Sequence, residues 1–168
     1  DWYVISKNKG KGVSIIKDET GKISNINLNK FDFLPNFEID FINKLLKQDG
    51  DEGVNVIYNS YQFEGRREWV KEVSKPEGKF IHPLIHSTPK GGPRKFHSST
   101  KTPPVKKEKF VPMFGISKVI FGESGINEVI IDENGNCGLT QESIGIGIDN
   151  KIQGIKIKNV LESDYFKN

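Results

Sequence analysis

Residues 114–149 read FGISKVIFGESGINEVIIDENGNCGLTQESIGIGID, and the spacing inside this stretch decides the fold class. Residues 118–121 and 128–132 are β-branched and aromatic, as strands are. Between them, Gly122, Glu123, Ser124 and Gly125 form the best candidate in the chain for a glycine loop holding a nucleotide cofactor. Such a loop must lead into a crossover helix whose N-terminus faces the phosphates. Only a few residues separate Gly125 from Val129, too few for that helix, so the segment predicts a strand-to-strand turn. Glu133, Asn134, Gly135 and Asn136 predict a second turn into a strand over 137–140, and residues 143–149 alternate Ile and Gly. The whole stretch predicts antiparallel pairing.

Working outward, a final helix is expected over 152–162 with Ile155, Val160 and Leu161 inward. Upstream, residues 54–58 read as a buried strand with Tyr58 in the core, as is Phe121. Residues 66–73 lean towards strand. Residues 79–87 alternate around Phe80, Pro83 and Ile85, and Pro83, which cannot donate to a ladder, suggests an edge strand. Near the start, residues 2–6, 12–17 and 22–28 predict a β meander within residues 1–30, turning at 18–21. A helix is expected over 36–48, with Phe37, Phe41, Ile42, Leu45 and Leu46 on one face and Gly50 as its stop. The class is α+β, antiparallel strands with two or three helices, and 168 residues suit a single domain over 1–168.

The chain is 28% charged and 35% hydrophobic, a composition that folds. One cysteine, Cys137, cannot form an internal disulfide, and no apolar run is long enough to span a membrane. A cytoplasmic setting without membrane contact is expected. Asp1 followed by strand-like residues predicts no leader peptide and a start at a domain boundary.

Charge is unevenly spread. Residues 88–118 hold eight cations (Lys90, Arg94, Lys95, Lys101, Lys106, Lys107, Lys109 and Lys118) against Glu108 alone, a net +7 in a chain whose total is +3, so the remainder carries −4. A basic stretch in a mildly acidic protein marks a polyanion site or a solvated lysine-rich loop. Pro89, Pro93, Pro103, Pro104 and Pro112 predict that 88–112 is one long loop or two loops without regular structure.

Other chemistries lack their residues. TPKGGPRK at 88–95 does not have P-loop spacing, although Gly91 and Gly92 let backbone amides approach an anion. His82 and His86 would share a helix face, but Pro83 between them predicts extended chain, in which they stand about 13 Å apart. Glu108 and Lys109 have no clear acidic partner for a metal-dependent nuclease, and no nucleophile with a His and Asp can be singled out. No catalytic residue and no metal site is assigned.

What is present is an inventory for nucleic acid. VIYNSYQFEGRREWV (56–70) interleaves Tyr58, Tyr61, Phe63 and Trp69 with Arg66 and Arg67; FIHPLIHSTPKGGPRKFHSST (80–100) ends a strand in Ser87 and Thr88, then glycines and cations; KKEKFVPMFGISKVIFGESG (106–125) leads a basic loop into Lys118. Cations and hydroxyls contact phosphate, whereas Arg, Asn, Gln and Glu also read base edges.

The succession of a Tyr-rich strand, an Arg-containing segment, PLIHSTPK, FGISKVIFGESGI, a hairpin and GIGI resembles the target-recognition domain of adenine-specific DNA methyltransferases, including single-chain restriction-modification enzymes. The likeness runs over 36–168 and is sharpest at 114–126. It implies sequence-specific binding of double-stranded DNA, with phosphate contact by Lys118. The Asn-Pro-Pro-aromatic signature of the family's catalytic domain is absent, since Thr102, Pro103, Pro104 and Val105 stand where the nearest match lies. The resemblance therefore implies no enzyme activity and no cofactor in this chain, S-adenosylmethionine and methyl transfer belonging to a catalytic domain elsewhere in the parent. The DNA-binding candidates are Arg66, Arg67, Ser87, Thr88, Lys90, Arg94, Lys95, Lys109, Lys118 and Gln141, with Asn127 and Glu123 as further turn residues. Arg66 and Arg67 fit DNA contact or ion pairs with Glu64, Glu68 or Glu72 equally well. Two rival classes remain: an RNA or single-strand module, whose aromatics would stack on unpaired bases, and a nuclease with unrecognised metal carboxylates.

Overall fold

The computed structural model describes residues 13–17, 21–27, 53–58, 61–105 and 110–164. The chain divides into two compact units, Asp1–Gly53 and Val54–Asn168, where the sequence suggested one domain. In the first, β1 (Ser14–Lys17) and β2 (Ile23–Ile26) pair antiparallel, Ser14 opposite Ile26 and Lys17 opposite Ile23. Ser24 and Ile26 are buried while Ile23 and Asn25 face out, the period of two that a one-sided hairpin requires. The expected strand over 2–6 and helix over 36–48 lie outside the described residues.

The second unit contains β3 (Val56–Ile57), β4 (Val70–Lys71), β5 (His82–Ser87), β6 (Arg94–Ser98), β7 (Lys118–Gly122), β8 (Gly125–Asp132), β9 (Gly138–Leu139), β10 (Ser143–Gly147) and helix α1 (Lys151–Leu161). The strands form two four-stranded sheets, ordered β3-β10-β7-β8 and β4-β6-β5-β9, antiparallel throughout except for the short parallel pair β5–β9. The α+β class holds. Among the described residues there is one helix where two or three were expected.

Each sheet residue faces the side that its register dictates. Ile57, Gly145, Ile120 and Ile130 form one row across the first sheet, and Val56, Ile146, Val119 and Ile131 the next. The first row faces the second sheet: Ile57 and Ile120 share a core with Val70, Leu84, Ile85, Phe96 and Leu139. The second row lies under α1, where Val119, Val129, Ile148 and Leu161 are buried. Asn150 caps this helix by accepting from the Gln153 N–H at 3.0 Å, and Gln153 Oε1 accepts from the Asp149 N–H in return. Of the residues expected inward, Leu161 is buried, but Ile155 and Val160 are exposed. The inward face is instead Gly154, Ile157 and Leu161, because Gly154 brings the helix backbone against Ile131 and Ile148.

Other expectations change for physical reasons. Residues 94–98, placed in a long loop, form β6, an inner strand, because the prolines flank RKFHS and do not interrupt it. β5 is likewise an inner strand; Pro83 is tolerated because β9 pairs only with Leu84 and Ile85. The 133–136 turn does not close a hairpin with the strand after it: β8 and β9 belong to different sheets, so the turn carries the chain across. Tyr58 is 43% exposed, its hydroxyl donating to Glu123 Oε1 at 3.2 Å, whereas Phe121 is half-buried beneath α1.

Candidate nucleic-acid interface

The β5–β6 hairpin presents the basic residues. Ser87 is in register with Arg94, and the connection 88–93 is closed by a Gly92 N–H donating to the Pro89 carbonyl at 3.3 Å. Gly91 and Gly92 have φ of 103° and 122°, and no heavy atom lies within 4 Å of where a side chain would begin. Lys90 sits exposed at this tip. Thr88, by contrast, is 2% exposed and accepts from the Gly122 N–H at 2.9 Å, tying the hairpin to the end of β7. Its hydroxyl is committed to the fold and is not offered to phosphate.

Alternation then separates two cations that the sequence grouped. Arg94 leaves β6 on the same side as Phe96, and Lys95, in register with Ile85, leaves on the other. The Arg94 guanidinium lies over the Phe96 ring, 5.5 Å from its centre, and pairs with Glu72 through Nε at 3.0 Å and also through Nη2. His86 stacks on Phe96 with ring centres 4.2 Å apart and planes 11° apart. Thr140 Oγ1 is 2.9 Å from His86 Nδ1, and Glu142 Oε2 is 3.3 Å from Nε2. A carboxylate only accepts, so a neutral imidazole here carries its proton on Nε2 and accepts the threonine hydroxyl at Nδ1. Burial holds the His86 pKa below its usual 6.5, helped by Arg94 and opposed by Glu142.

A third segment reaches the same face. Gln141 Oε1 accepts from the Gly65 N–H at 3.2 Å, which fixes the 64–67 turn beside the loop after β9. Arg66 grips Glu64 with Nε and Nη2 at 3.2 and 3.3 Å, yet its side chain stays 83% exposed. Arg67 Nε is 3.1 Å from Glu64 Oε2 but out of line for a hydrogen bond, and its guanidinium lies 5.8 Å from the Trp69 ring centre. The structure thus brings Arg66, Arg67 and Gln141 together and sets Arg94 with Phe96 and His86 on the same side of the second sheet. Arg66 and Arg67 pair with Glu64, an alternative that the sequence had left open, and Arg94 pairs with Glu72, which the sequence had not suggested.

Lys118 is the clear correction. It is fully buried, donating to Asp132 Oδ2 at 2.9 Å and to the Ile116 carbonyl at 3.1 Å. Asp132 also accepts from the Asn136 and Cys137 N–H groups at 2.8 and 2.9 Å. No surface anion reaches this ammonium, so Lys118 is a core ion pair and makes no phosphate contact. Lys109 lies outside the described residues. Glu123 and Asn127 are exposed around the β7–β8 turn, which joins two strands without any helix.

Four residues that build this face, the exposed Glu72 and Glu142 and the buried His86 and Phe96 beneath it, were not selected from sequence. The alternation of HPLIHS and RKFHS was the available signal, since it puts His86, Arg94 and Phe96 on one side once β6 is recognised as a strand. Among the described residues, no group of three or more His, Cys, Asp or Glu side chains could hold a metal ion, and no helix is long and apolar enough to cross a membrane.

The fold and this surface define an α+β protein, antiparallel but for one short pair, with a cation-bearing face, backed by the buried His86–Phe96 stack, built by three separate segments of its second unit. No protein-family model, curated protein or solved structure matches the chain.

Proposed function

We propose that the chain binds double-stranded DNA sequence-specifically, as the target-recognition part of an adenine DNA methyltransferase or restriction-modification enzyme. Methyl transfer and S-adenosylmethionine belong, in this reading, to a separate catalytic domain, and this chain has no activity of its own. The observation that carries the proposal is the convergence of Gln141, the Arg66–Arg67 turn and the Arg94–Phe96–His86 row on one face. Gln and Arg are the side chains whose forked groups read adenine and guanine edges, while the Lys90 tip supplies charge for the backbone. A cytoplasmic setting fits a chain whose one cysteine needs no oxidising compartment.

Fluorescence anisotropy with labelled duplex DNA, single-stranded DNA and RNA of matched length tests the proposal. Duplex should bind best, and the logarithm of the binding constant should fall linearly with the logarithm of salt, by about 0.9 per phosphate contacted. Preference for either unpaired strand would transfer the function to a single-strand module, and cleavage of duplex in magnesium would make it a nuclease.

A further inference from the structure

Beside the Arg94–Glu72 pair lies a cleft of about 550 Å³, lined on one wall by Glu72, Val73 and Ser74 and on the other by Gly91, Gly92 and Arg94. It forms because β4 ends at Lys71, so that the start of β6, paired with β5 on one edge, has no strand partner on the other. We propose that this cleft takes a phosphodiester of the DNA backbone, and that Glu72 competes with it for Arg94. The proposal rests on the duplex-binding reading above and adds a regulator to it.

The chemistry follows from the two walls. Arg94 presents a planar fork, which matches phosphate as well as it matches carboxylate. Its pair with Glu72 is half-exposed on both sides, with side chains 50% and 58% accessible, and so is weakly held. Stacking on Phe96 keeps the guanidinium in place when its anion changes. Opposite, the bare backbone of Gly91 and Gly92 leaves an oxygen room to approach. Exchange has a cost, because a displaced Glu72 carboxylate is left facing a polyanion and must gather a counterion. A duplex bound through phosphates alone bears that cost uncompensated, whereas one that also satisfies base readers offsets it. Glu72 is thus a positioning residue that suppresses non-specific binding.

The test compares parent, Glu72→Gln, Arg94→Ala and the double variant of the full chain, each shown folded by circular dichroism, binding a random-sequence duplex across a salt series. Glu72→Gln should tighten binding several-fold at low salt and steepen the log-log slope by about 0.9, since no counterion is then taken up. Arg94→Ala should weaken binding at a slope close to the parent's, because the phosphate contact and the counterion uptake by Glu72 are lost together, and Glu72→Gln should gain nothing in its background. An equal gain from Glu72→Gln with and without Arg94 would reduce Glu72 to general charge repulsion and overturn the exchange. An unchanged affinity in Arg94→Ala would remove the cleft from the interface while leaving duplex binding intact. Absence of duplex binding by the parent would overturn both readings together. A parallel titration with inorganic phosphate, followed at the Arg94 Nε–H by NMR, should show no saturation; saturable binding would make this a site for a free ion.

Discussion

Lys118 shows how a single side chain changes meaning with its partner. At the start of a strand and in a basic context it reads as a phosphate ligand, but Asp132 directly across the β7–β8 ladder takes its charge inside the protein. The carboxylate in turn holds the last two amides of the crossing to β9, those of Asn136 and Cys137. Breaking such a pair by removing one member strands the other charge, at a cost of roughly 3–5 kcal/mol, whereas neutralising both is far milder. Lys118→Met should therefore lower stability by about that amount, and adding Asp132→Asn should recover much of it, since the amide oxygen still accepts. Urea denaturation of the three proteins measures this. The double variant should keep the parent's salt slope for DNA; a flatter slope would return Lys118 to the interface. Nothing in the local sequence reveals this pairing, because it depends on a register between residues 14 apart.

At the level of elements, the β7–β8 hairpin was legible because apolar residues alternate on both sides of a glycine-bounded turn too short for a helix. β6 was not, since composition averaged over 88–112 hides a five-residue strand between proline pairs. The route of 133–136 was also hidden: a turn sequence gives the reversal but not the sheet that receives the next strand. That crossing depends on Gly135, whose φ is 64° and whose Cα approaches the neighbouring loop so closely that a Cβ would lie 2.4 Å from the Ile116 nitrogen. Gly135 also accepts from the Gly115 N–H at 2.8 Å. Gly135→Ala combines left-handed strain, about 1–3 kcal/mol, with a backbone clash that no rotamer relieves. It should lower the melting temperature by several degrees more than Gly78→Ala, where φ is also positive but nothing lies within 4 Å. Equal effects in differential scanning calorimetry would show that strain alone matters at Gly135.

On the scale of the molecule, the candidate site was legible as an inventory and not as an arrangement. Arg66, Arg67, Arg94 and Gln141 were identifiable by residue type, and Glu64 as a possible partner of the first two, but the Arg94–Glu72 pair and the His86–Phe96 stack required the second sheet. Burial of His86 has a consequence for the whole fold. Its folded pKa lies below the unfolded 6.5, with burial the main cause, and His82 is lowered in the same direction by burial and by Lys101. On acidification the unfolded chain takes up these protons first. Stability is thus fully present above pH 6.5 and is lost as pH falls through 6.5 towards the depressed values. The slope is at most about 1.4 kcal/mol per pH unit for each histidine. The unfolding free energy from urea denaturation should fall between pH 7.5 and 5.5 in the parent and fall less in His86→Gln; identical profiles would mean that His86 titrates alike in both states.

Specific duplex reading is the central claim, and selection from a random duplex library by the 168-residue chain tests it most directly. Sequenced after several rounds, the parent should enrich one short defined motif. Gln141→Ala should relax the preference at a single base pair while leaving the salt slope of binding nearly unchanged, as loss of a base reader does. Recovery of a random pool by the parent, at a salt concentration where duplex is still retained, would contradict target recognition and leave only a general affinity for polyanions.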